Sequence, residues 1–143
     1  MDIFFLTMGR HATKIYEKLE NAICVEHDLT LMEMDILLFL ANNPQYVTAK
    51  DIVNYRMIAK SHVSISVENL LKKGLLTKTS NQKRNIPLAL TPQGLVIAKE
   101  GQQMQETFQN IYMEGFNEED SKKLEEFHQR ISENLLRAYE ELK

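Results

Sequence analysis

The spacing of apolar residues in this chain is helical over most of its length. Between about residues 8 and 24, an apolar stripe recurs at three- and four-residue intervals among charged positions, which predicts an amphipathic helix. The following segment, "LTLMEMDILLFLANNP", is apolar on nearly every side, so it predicts a well-buried helix that ends before Pro44. The stripe of the first helix consists of Ala12, Ile15, Leu19, Ala22 and Ile23.

Capping signals indicate where the next helices begin and end. Thr30 with Glu33, and Thr48 with Asp51, each form a capping-box pattern, so a helix is predicted to start after each threonine. The segment "IAKSHVSISVENLLKKG" predicts a further helix, for which Gly74 is the left-handed residue after the C-terminus. The residues of this helix that can face a core are Val63, Val67 and Leu70.

The pattern then changes from helical to alternating. "LLTKTS" and "IPLAL" predict two strands, and the polar "NQKRN" between them predicts a turn, so the segment is a β-hairpin with a basic tip. Pro87 indicates that its strand has a free edge. Thr91 and Pro92 have the residue types of a cap and a first helical position, and that helix runs to about Met113.

A last helix is predicted from about Glu118, after the helix-breaking segment "EGFNEED". Its first turn carries acidic residues at the positive end of the helix dipole. Its apolar residues are three or four positions apart, and such a stripe needs a partner surface. They are Leu124, Phe127, Ile131, Leu135, Ala138 and Leu142.

The order of these elements predicts a mostly α fold with a small β-hairpin wing. A helix, a short helix, a further helix and a two-stranded wing form the layout of a winged helix-turn-helix, whose second helix of the turn enters the DNA major groove. No apolar stretch approaches the ~20 residues that a bilayer span needs, and the first residues lack the pattern of a signal peptide. The single cysteine, Cys24, excludes an intrachain disulfide framework. A cytoplasmic protein without membrane contact is therefore expected.

The distribution of charge favours a polyanionic partner although the chain as a whole is acidic. Residues 49–84 contain eight lysines and arginines against two acids, a net charge of +6, whereas the whole chain carries −3 and the remainder therefore −9. A basic middle between acidic ends can hold nucleic acid at one surface while the rest of the protein repels it. The alternative is a lysine-rich surface that is merely solvated.

The central half of the chain, about residues 30 to 100, resembles the MarR (multiple antibiotic resistance regulator) family. "KSHVSISVENLLKKGLL" is similar to the recognition helix of that family and the strand after it. "NQKRNIPLALTPQG" is similar to its wing, followed by the Leu-Thr-x-x-Gly that opens the next helix. The ends of the chain resemble the family by their layout, with helices on both sides of the winged helix.

The resemblance implies a homodimeric, sequence-specific DNA-binding regulator that binds a near-palindromic site in double-stranded DNA. Residues 1–28 and 100–143 would be the interlocked dimerisation helices, and residues 29–99 the DNA-binding lobe. The expected DNA contacts are Lys60, Ser61, His62, Ser64, Ile65, Asn69, Lys72, Lys83 and Arg84. The expected dimer interface comprises Ile15, Leu19, Leu124, Phe127, Ile131, Leu135 and Ala138.

The chemistry of these side chains agrees with that implication. Short polar side chains and lysines of the helix can reach phosphates or base edges. Arg84 aligns with the wing arginine of the family, which lies in the minor groove, where the negative potential favours a guanidinium. Lys83 beside it would contact phosphate.

Three positions depart from the family pattern. Ile65 stands where the family commonly has arginine, so it would pack against a thymine methyl instead of binding guanine. The alternative is that Ile65 packs under the wing or against the neighbouring helix. Gln82 replaces the wing aspartate that is expected to orient the arginine, and Ala59 replaces a capping serine, at a cost of about 1 kcal/mol.

Many members of the family release DNA when an effector binds between the DNA lobe and the dimer lobe, so the prediction is a repressor released by a small aromatic or anionic molecule. Cys24 is either an oxidant sensor or an inert thiol, and the absence of adjoining basic residues in the sequence favours the inert thiol. Cys24 and His27, with His11 and His128, could form a metal site, but a single C-x-x-H pair is weak evidence. Neither a metal nor another cofactor is predicted.

The chain is not predicted to be an enzyme. It lacks a Gly-rich phosphate loop, a nucleophile elbow and paired metal-ligand motifs. The stronger competitor is a winged-helix interaction module or anti-repressor without DNA binding, which Ile65, Gln82 and the low isoelectric point favour. The basic middle segment and Arg84 favour DNA.

Overall fold

The computed structural model describes residues 3–143, which form six helices and one two-stranded antiparallel sheet. The fold class predicted from the sequence is therefore confirmed. In chain order the elements are α1 (Ile3–His27), α2 (Leu31–Asn42), α3 (Ala49–Arg56), α4 (Lys60–Lys72), β1 (Leu76–Lys78), β2 (Leu88–Leu90), α5 (Pro92–Tyr112) and α6 (Glu118–Glu141). None of the described helices is both long and apolar enough to cross a bilayer.

Helix α2 lies at the centre of the core. Seven of its twelve residues are buried, and they include Glu33 as well as apolar side chains on every side of the helix. The neighbours that cover it come from α1, α4 and the wing, among them Val63, Leu70 and Leu88. Burying a Leu or Ile side chain stabilises the fold by about 1.5–3 kcal/mol, so the fold depends on the packing around this helix.

The capping signals in the sequence have the predicted geometry. The Thr30 hydroxyl accepts a hydrogen bond from the Glu33 N–H at 3.1 Å, and the Glu33 carboxylate accepts one from the Thr30 N–H. Thr48 and Asp51 form the same reciprocal pair at the start of α3. Gly74 follows α4 with a φ of 71°, in the left-handed region that the sequence predicts for it.

Helix α1 is longer than the sequence predicts, because it begins at Ile3 and not near residue 8. The segment "IFFL" is apolar on every side and therefore shows no helical period that would have indicated a helix. Its side chains are exposed in this chain. The helix ends at His27, and Asp28 follows with a φ of 55°.

The wing is a short antiparallel pair of strands. Leu76, Thr77 and Lys78 lie opposite Leu90, Ala89 and Leu88, respectively. The pairing continues past the strands, because the Thr79 N–H donates to the Pro87 carbonyl at 3.0 Å. The Leu88 N–H donates to the Val47 carbonyl at 2.8 Å, which ties the second strand to the segment before α3.

The start of α5 is held close to the backbone of Gly74 and Leu75, just before the first strand of the wing. The Thr91 hydroxyl accepts from the Gly94 N–H at 3.1 Å and donates to the Gly74 carbonyl at 2.7 Å. Pro92 is the first helical residue, as predicted. Gly94 is buried against Leu75, and a Cβ at this position would overlap the Leu75 carbonyl oxygen. The glycine of "LTPQG" is therefore required by packing.

The described chain divides into two compact units, one that ends at Phe108 and one that comprises Gln109–Lys143. In the second unit, Gly115 has a φ of 82°, and the Asn117 side chain caps α6 by accepting from the Asp120 N–H at 2.8 Å. The α6 helix has no buried residue within the described chain. The division into dimerisation helices and a DNA-binding lobe stays a prediction.

Replacement of Gly94 by alanine tests the close approach. We expect Gly94→Ala to lower the free energy of unfolding by about 1–3 kcal/mol, because backbone atoms must move to admit the methyl group. Gly9→Ala is the matched control, since a Cβ at Gly9 meets nothing within 4 Å and alanine favours the helix. Urea unfolding measures both, and equal stability of the two variants would contradict the packing argument.

Candidate nucleic-acid interface

Helices α3 and α4 form a helix-turn-helix whose turn is only three residues long. Met57 follows α3 in the left-handed conformation, with φ 54° and ψ 41°, and Ala59 precedes α4. The inner face of α4 is buried as predicted, with Val63 and Leu70 fully inaccessible and Val67 nearly so. This packing fixes the rotation of α4 about its axis and so determines which side chains point outward.

The outer face of α4 carries most of the side chains that the sequence predicts as DNA contacts. Ile65 is 62% exposed, so it packs neither under the wing nor against the neighbouring helix. Asn69, on the same helix, is half-buried. The exposed members of the predicted set on this helix are Lys60, Ser61, His62, Ser64, Ile65 and Lys72.

A cleft of about 760 Å³ lies between α3, α4 and the wing, and we call it the wing cleft. Its floor includes the apolar side chains of Val63, Val67 and Leu88. It brings together predicted contacts from two different elements, because α4 and the wing tip both line it. The polar residues around it are Lys50, Lys60, Ser64, Lys78, Lys83, Arg84 and Asn85.

Two of these lysines are not among the DNA contacts that the sequence predicts. Lys50 lies in the first turn of α3, and Lys78 lies in β1. Both belong to the basic segment of residues 49–84, but the net charge of a segment does not reveal which of its cations share one surface. Only the fold brings them together, so five cations surround one cleft.

Two other cations of the basic segment are held by ion pairs. Arg56 Nη2 lies 3.1 Å from the Asp35 carboxylate, and Lys73 Nζ lies 2.7 Å from the carboxylate of the buried Glu33. Lys73 also donates to the Asp28 carbonyl at 2.6 Å. These contacts connect α2 to the ends of α3 and α4, so both cations serve the packing of the helix-turn-helix.

The tip of the wing is held by Gln82, the residue that replaces the aspartate of the family pattern. Its side-chain amide donates to the carbonyls of Arg84 at 3.0 Å and Asn85 at 2.6 Å, and its N–H donates to the Ser80 hydroxyl at 3.2 Å. Asn85 has a φ of 49°, in the left-handed region that asparagine adopts more readily than most residues. Gln82 therefore fixes the backbone around Arg84 and leaves the exposed guanidinium of Arg84 free of this contact.

The N-terminus of α4 lacks a side-chain cap, as the sequence predicts for Ala59. Ala59 has an extended backbone, and its carbonyl accepts from the N–H groups of His62 and Val63. Uncapped N–H groups at the positive end of a helix dipole are suited to an anion such as a phosphate.

The side chains predicted at a dimer interface are found on both units. In α1, Ile15 is exposed and Leu19 is half-buried against the core. In α6, Leu124 is half-buried, while the remaining members of the stripe are exposed. These exposed members are Phe127, Ile131, Leu135 and Ala138, followed by Leu142.

A second cavity, of about 490 Å³, lies between α1, α2, α3 and α5, and we call it the inner cavity. Aromatic rings and polar groups share its wall. The Tyr16 hydroxyl accepts a hydrogen bond from the Gln105 side chain at 2.8 Å, and the rings of Tyr16 and Phe108 meet edge to face at 5.3 Å. Its principal side chains are Tyr16, Asp35, Phe39, Arg56, Gln105 and Phe108.

The metal site that the sequence allows for Cys24 and His27 is not formed. The Cys24 thiol is buried and donates to the Thr30 carbonyl at 3.7 Å, while His27 Nε2 lies 2.8 Å from the Glu100 carboxylate. Burial, followed by nearby carboxylates, raises the pKa of Cys24 to about 11, so the thiol is protonated at neutral pH and poorly reactive. Among the described residues, the group with metal-ligand spacing is Glu26, His27 and Glu100.

Comparisons with known proteins agree with this geometry. The MarR family model matches residues 27–84, which comprise α2, the helix-turn-helix and the first strand of the wing with part of its tip. No curated protein sequence matches the chain. A MarR family transcriptional regulator from Listeria monocytogenes, solved in complex with a 26mer DNA, has a TM-score of 0.80 at 22% identity, over 94% of this chain and 90% of that one.

Two Staphylococcus aureus proteins have the same fold. The MepR–DNA complex has a TM-score of 0.73 at 18% identity, over 94% of this chain and 96% of that one. The MarR of S. aureus, in complex with salicylate and kanamycin, has a TM-score of 0.76 at 22% identity, over 93% and 91% of the two chains. At these identities the similarity shows the fold, which is that of the MarR structures along nearly the whole chain.

The role of Gln82 in the wing can be tested by removing only its donor group. We expect Gln82→Glu to increase amide hydrogen exchange at residues 83–86, because a carboxylate repels the two carbonyls that the amide now holds. Asn81→Asp is the matched control, since it adds the same charge at the exposed neighbouring position. Unchanged exchange in Gln82→Glu, measured by NMR, would show that the tip is held by other contacts.

Proposed function

We propose that this chain, which resembles the MarR family in its winged helix-turn-helix and has the MarR fold, is a sequence-specific, homodimeric DNA-binding transcriptional regulator without catalytic activity. The wing cleft is the observation that carries this proposal. Cations from α3, α4, β1 and the tip of the wing surround one exposed surface, although the chain as a whole is acidic. Such a local excess of positive charge suits a phosphate backbone.

In this proposal α4 lies in the major groove. Its outer face offers hydroxyl and imidazole groups for base edges or phosphates, together with Lys60 and Lys72 at its two ends. Ile65 is exposed in the free protein, where burial would be favourable, and a thymine methyl in the groove would supply that contact. The proposed contacts on this helix therefore include one apolar base contact among polar ones.

The wing would follow the DNA backbone into the adjacent minor groove. Arg84 lies at the tip, where Gln82 holds the surrounding backbone, and its guanidinium is exposed. A narrow minor groove has a strongly negative potential that attracts arginine. Lys83, with Lys50 and Lys78, would contact phosphates at the edge of the cleft.

Dimerisation is supported by the apolar stripe of α6, which is exposed in the single chain. Phe127, Ile131 and Leu135 are each at least half exposed, and the N-terminal turns of α1 are also apolar and exposed. A continuous exposed apolar stripe on a long helix favours association. Two subunits would present their recognition helices about 10 base pairs apart, to the two halves of a near-palindromic site.

We assign the effector to the inner cavity and propose that the effector releases a repressor from DNA. The volume of the inner cavity, about 490 Å³, lies within the range of ~300–1,000 Å³ that is typical of small-molecule sites. Arg56 both lines this cavity and ends α3, and only the three residues of the turn separate it from α4. A ligand that moves Arg56 would therefore act directly on the helix-turn-helix.

A second candidate function is a protein-interaction module that does not bind DNA. The exposed Ile65 on the outer face of α4 favours it, because an apolar side chain is also suited to a protein partner. A salt titration separates the two functions. Binding of DNA should weaken by a log–log slope near −0.9 for each neutralised phosphate, whereas an apolar protein contact should barely respond to salt.

Arg84→Ala tests the proposed minor-groove contact. We expect its affinity for DNA that is selected from a random pool to fall by about 1–3 kcal/mol, with an unchanged melting temperature because the guanidinium is exposed. Lys18→Ala, in α1 and outside the wing cleft, is the control and should bind normally. Equal losses of stability and affinity in Arg84→Ala would make the arginine structural.

Leu135→Asp tests the homodimer. A carboxylate in the middle of the α6 stripe should give monomers, and DNA affinity should fall by at least about tenfold because one half-site provides too few contacts. Gln129→Asp is the control, since helical spacing puts the same charge on the opposite face of α6. Analytical ultracentrifugation and DNA titration measure both, and a monomer with full affinity would refute the dimer proposal.

A further inference from the structure

Glu20 is a buried carboxyl group of α1 that no described residue pairs. It is not itself a wall residue of the inner cavity, but Asp35 and Arg56, which act on it electrostatically, both line that cavity. Glu20 is 2% exposed, and its Oε1 atom is the buried side-chain atom of the described residues that lacks a hydrogen-bond partner. On α1 it lies one turn from Tyr16, on the same helical face, and Tyr16 lines the cavity. An unpaired buried polar atom is unfavourable, so a donor that reached it would be bound favourably.

The charges around the inner cavity do not favour an anionic ligand. Arg56, a cation in the wall of the cavity, is already paired with Asp35 at 3.1 Å. Glu20 therefore remains as an acidic group that no nearby cation among the described residues pairs. A free guanidinium is the usual partner of a carboxylate ligand. In this cavity, an anion would have to compete with Asp35 for Arg56 and would also approach Glu20.

Three titratable groups of α1 have raised pKa values, chiefly because they are buried. The pKa of Glu20 is raised to about 7, first by burial and then by the Asp35 carboxylate, whose effect exceeds the opposing effect of the Arg56 guanidinium. Burial raises the pKa of Tyr16 as well, and there too Glu20 and Asp35 act in the upward direction. Nearby carboxylates act in the same direction on Cys24. At each of these groups, nearby carboxylates therefore act in the same direction as burial.

We propose that the inner cavity binds a small aromatic amine as its ammonium cation, with the ammonium donating to Glu20 and Asp35 and the ring lying against Tyr16, Phe39 and Phe108. The edge-to-face pair of Tyr16 and Phe108 provides the aromatic surface, and ring faces also attract cations. This inference rests on the proposed effector role of the cavity and names the chemical class of its ligand. It differs from the aromatic or anionic effector that the family resemblance implies, since it requires a positive charge.

Binding of the ammonium cation is coupled to the release of a proton from Glu20. The charged and titratable groups that interact with Glu20 are Tyr16, Glu17 and Cys24 on α1, Asp35 on α2 and Arg56 on α3, while α5 contributes the uncharged Gln105 to the cavity wall. Near neutral pH, about half of the Glu20 carboxyl groups are protonated, and an ammonium favours the ionised form. Binding then releases a proton, so the affinity should rise about tenfold from pH 6 to pH 8.

A charge series of one ring tests the proposal on the full chain without DNA. Benzylamine, benzyl alcohol and benzoate have nearly the same shape but are cationic, neutral and anionic, respectively. We expect isothermal titration calorimetry to give affinities in that order, with benzylamine at least about tenfold tighter than benzoate at pH 8. The enthalpy should change between buffers of different ionisation enthalpy at pH 7, because a proton is released.

Glu20→Gln should weaken benzylamine binding at pH 8 by at least about tenfold and remove its pH dependence. Glutamine resembles the protonated glutamic acid, so the variant should fold. Glu26→Gln is the matched control, since it removes the same charge from an exposed position of the same helix that does not act on Glu20. If Glu20→Gln fails to fold, the charge series and the pH profile of the wild-type chain still decide the matter.

Tighter binding of benzoate, no binding of any of the three compounds, or unchanged benzylamine binding in Glu20→Gln would each overturn the proposal. The proposed DNA-binding function is tested separately, because ligand binding is measured here without DNA. Failure of the charge series with normal DNA binding would reject only the ligand class. Failure of DNA binding with a normal charge series would reject only the regulatory role.

Discussion

The burial of α2 on all of its sides is the constraint on which the rest of the structure depends. A helix that is apolar all round must be covered all round. Its cover includes Val63 and Leu70 of α4 and Leu88 of the wing. Because these residues face inward, the opposite face of α4 faces outward, and a rotation of α4 by one residue, about 100°, would bury its polar face. The core thus determines which side chains α4 presents to a partner.

Ion pairs in the first unit also fix the positions of two charged side chains, because acidic residues of α2 hold cations at the ends of α3 and α4. Glu33 is buried at the start of α2, and it holds both its own capping contact and Lys73 at the end of α4. Arg56 is held in the same way by Asp35. A buried charge is costly unless it is paired, so Lys73 compensates the buried Glu33, and both Lys73 and Arg56 are engaged in contacts within the fold. The lysines around the wing cleft have no such internal role, which is why the cleft carries the excess positive charge of an otherwise acidic chain.

Sequence alone predicts those parts of the structure that depend on near neighbours in the chain. The capping boxes of Thr30 and Thr48, the left-handed Gly74 and the hairpin all rest on contacts within a few residues, and each has the predicted geometry. Contacts between distant segments leave no such local pattern. The meeting of Lys50 and Lys78 at one cleft is an example, as is the contact of Gly94 with Leu75. Gln82 is an intermediate case. The sequence shows that it departs from the aspartate of the family pattern, but it does not reveal that the glutamine amide donates to the carbonyls of the wing.

Arg56 joins the two proposals physically. It lines the inner cavity, it pairs with Asp35 of α2, and it is the last residue of α3. Only Met57, Ile58 and Ala59 separate it from α4, and Met57 is already in the left-handed conformation, which is unfavourable for a residue with a side chain. An ammonium ligand that takes up the Asp35 carboxylate would weaken the pairing that holds Arg56, and the strained turn offers little resistance to a change in its direction. A ligand's charge would thus reach the recognition helix through one ion pair and one turn, with no need for a longer pathway.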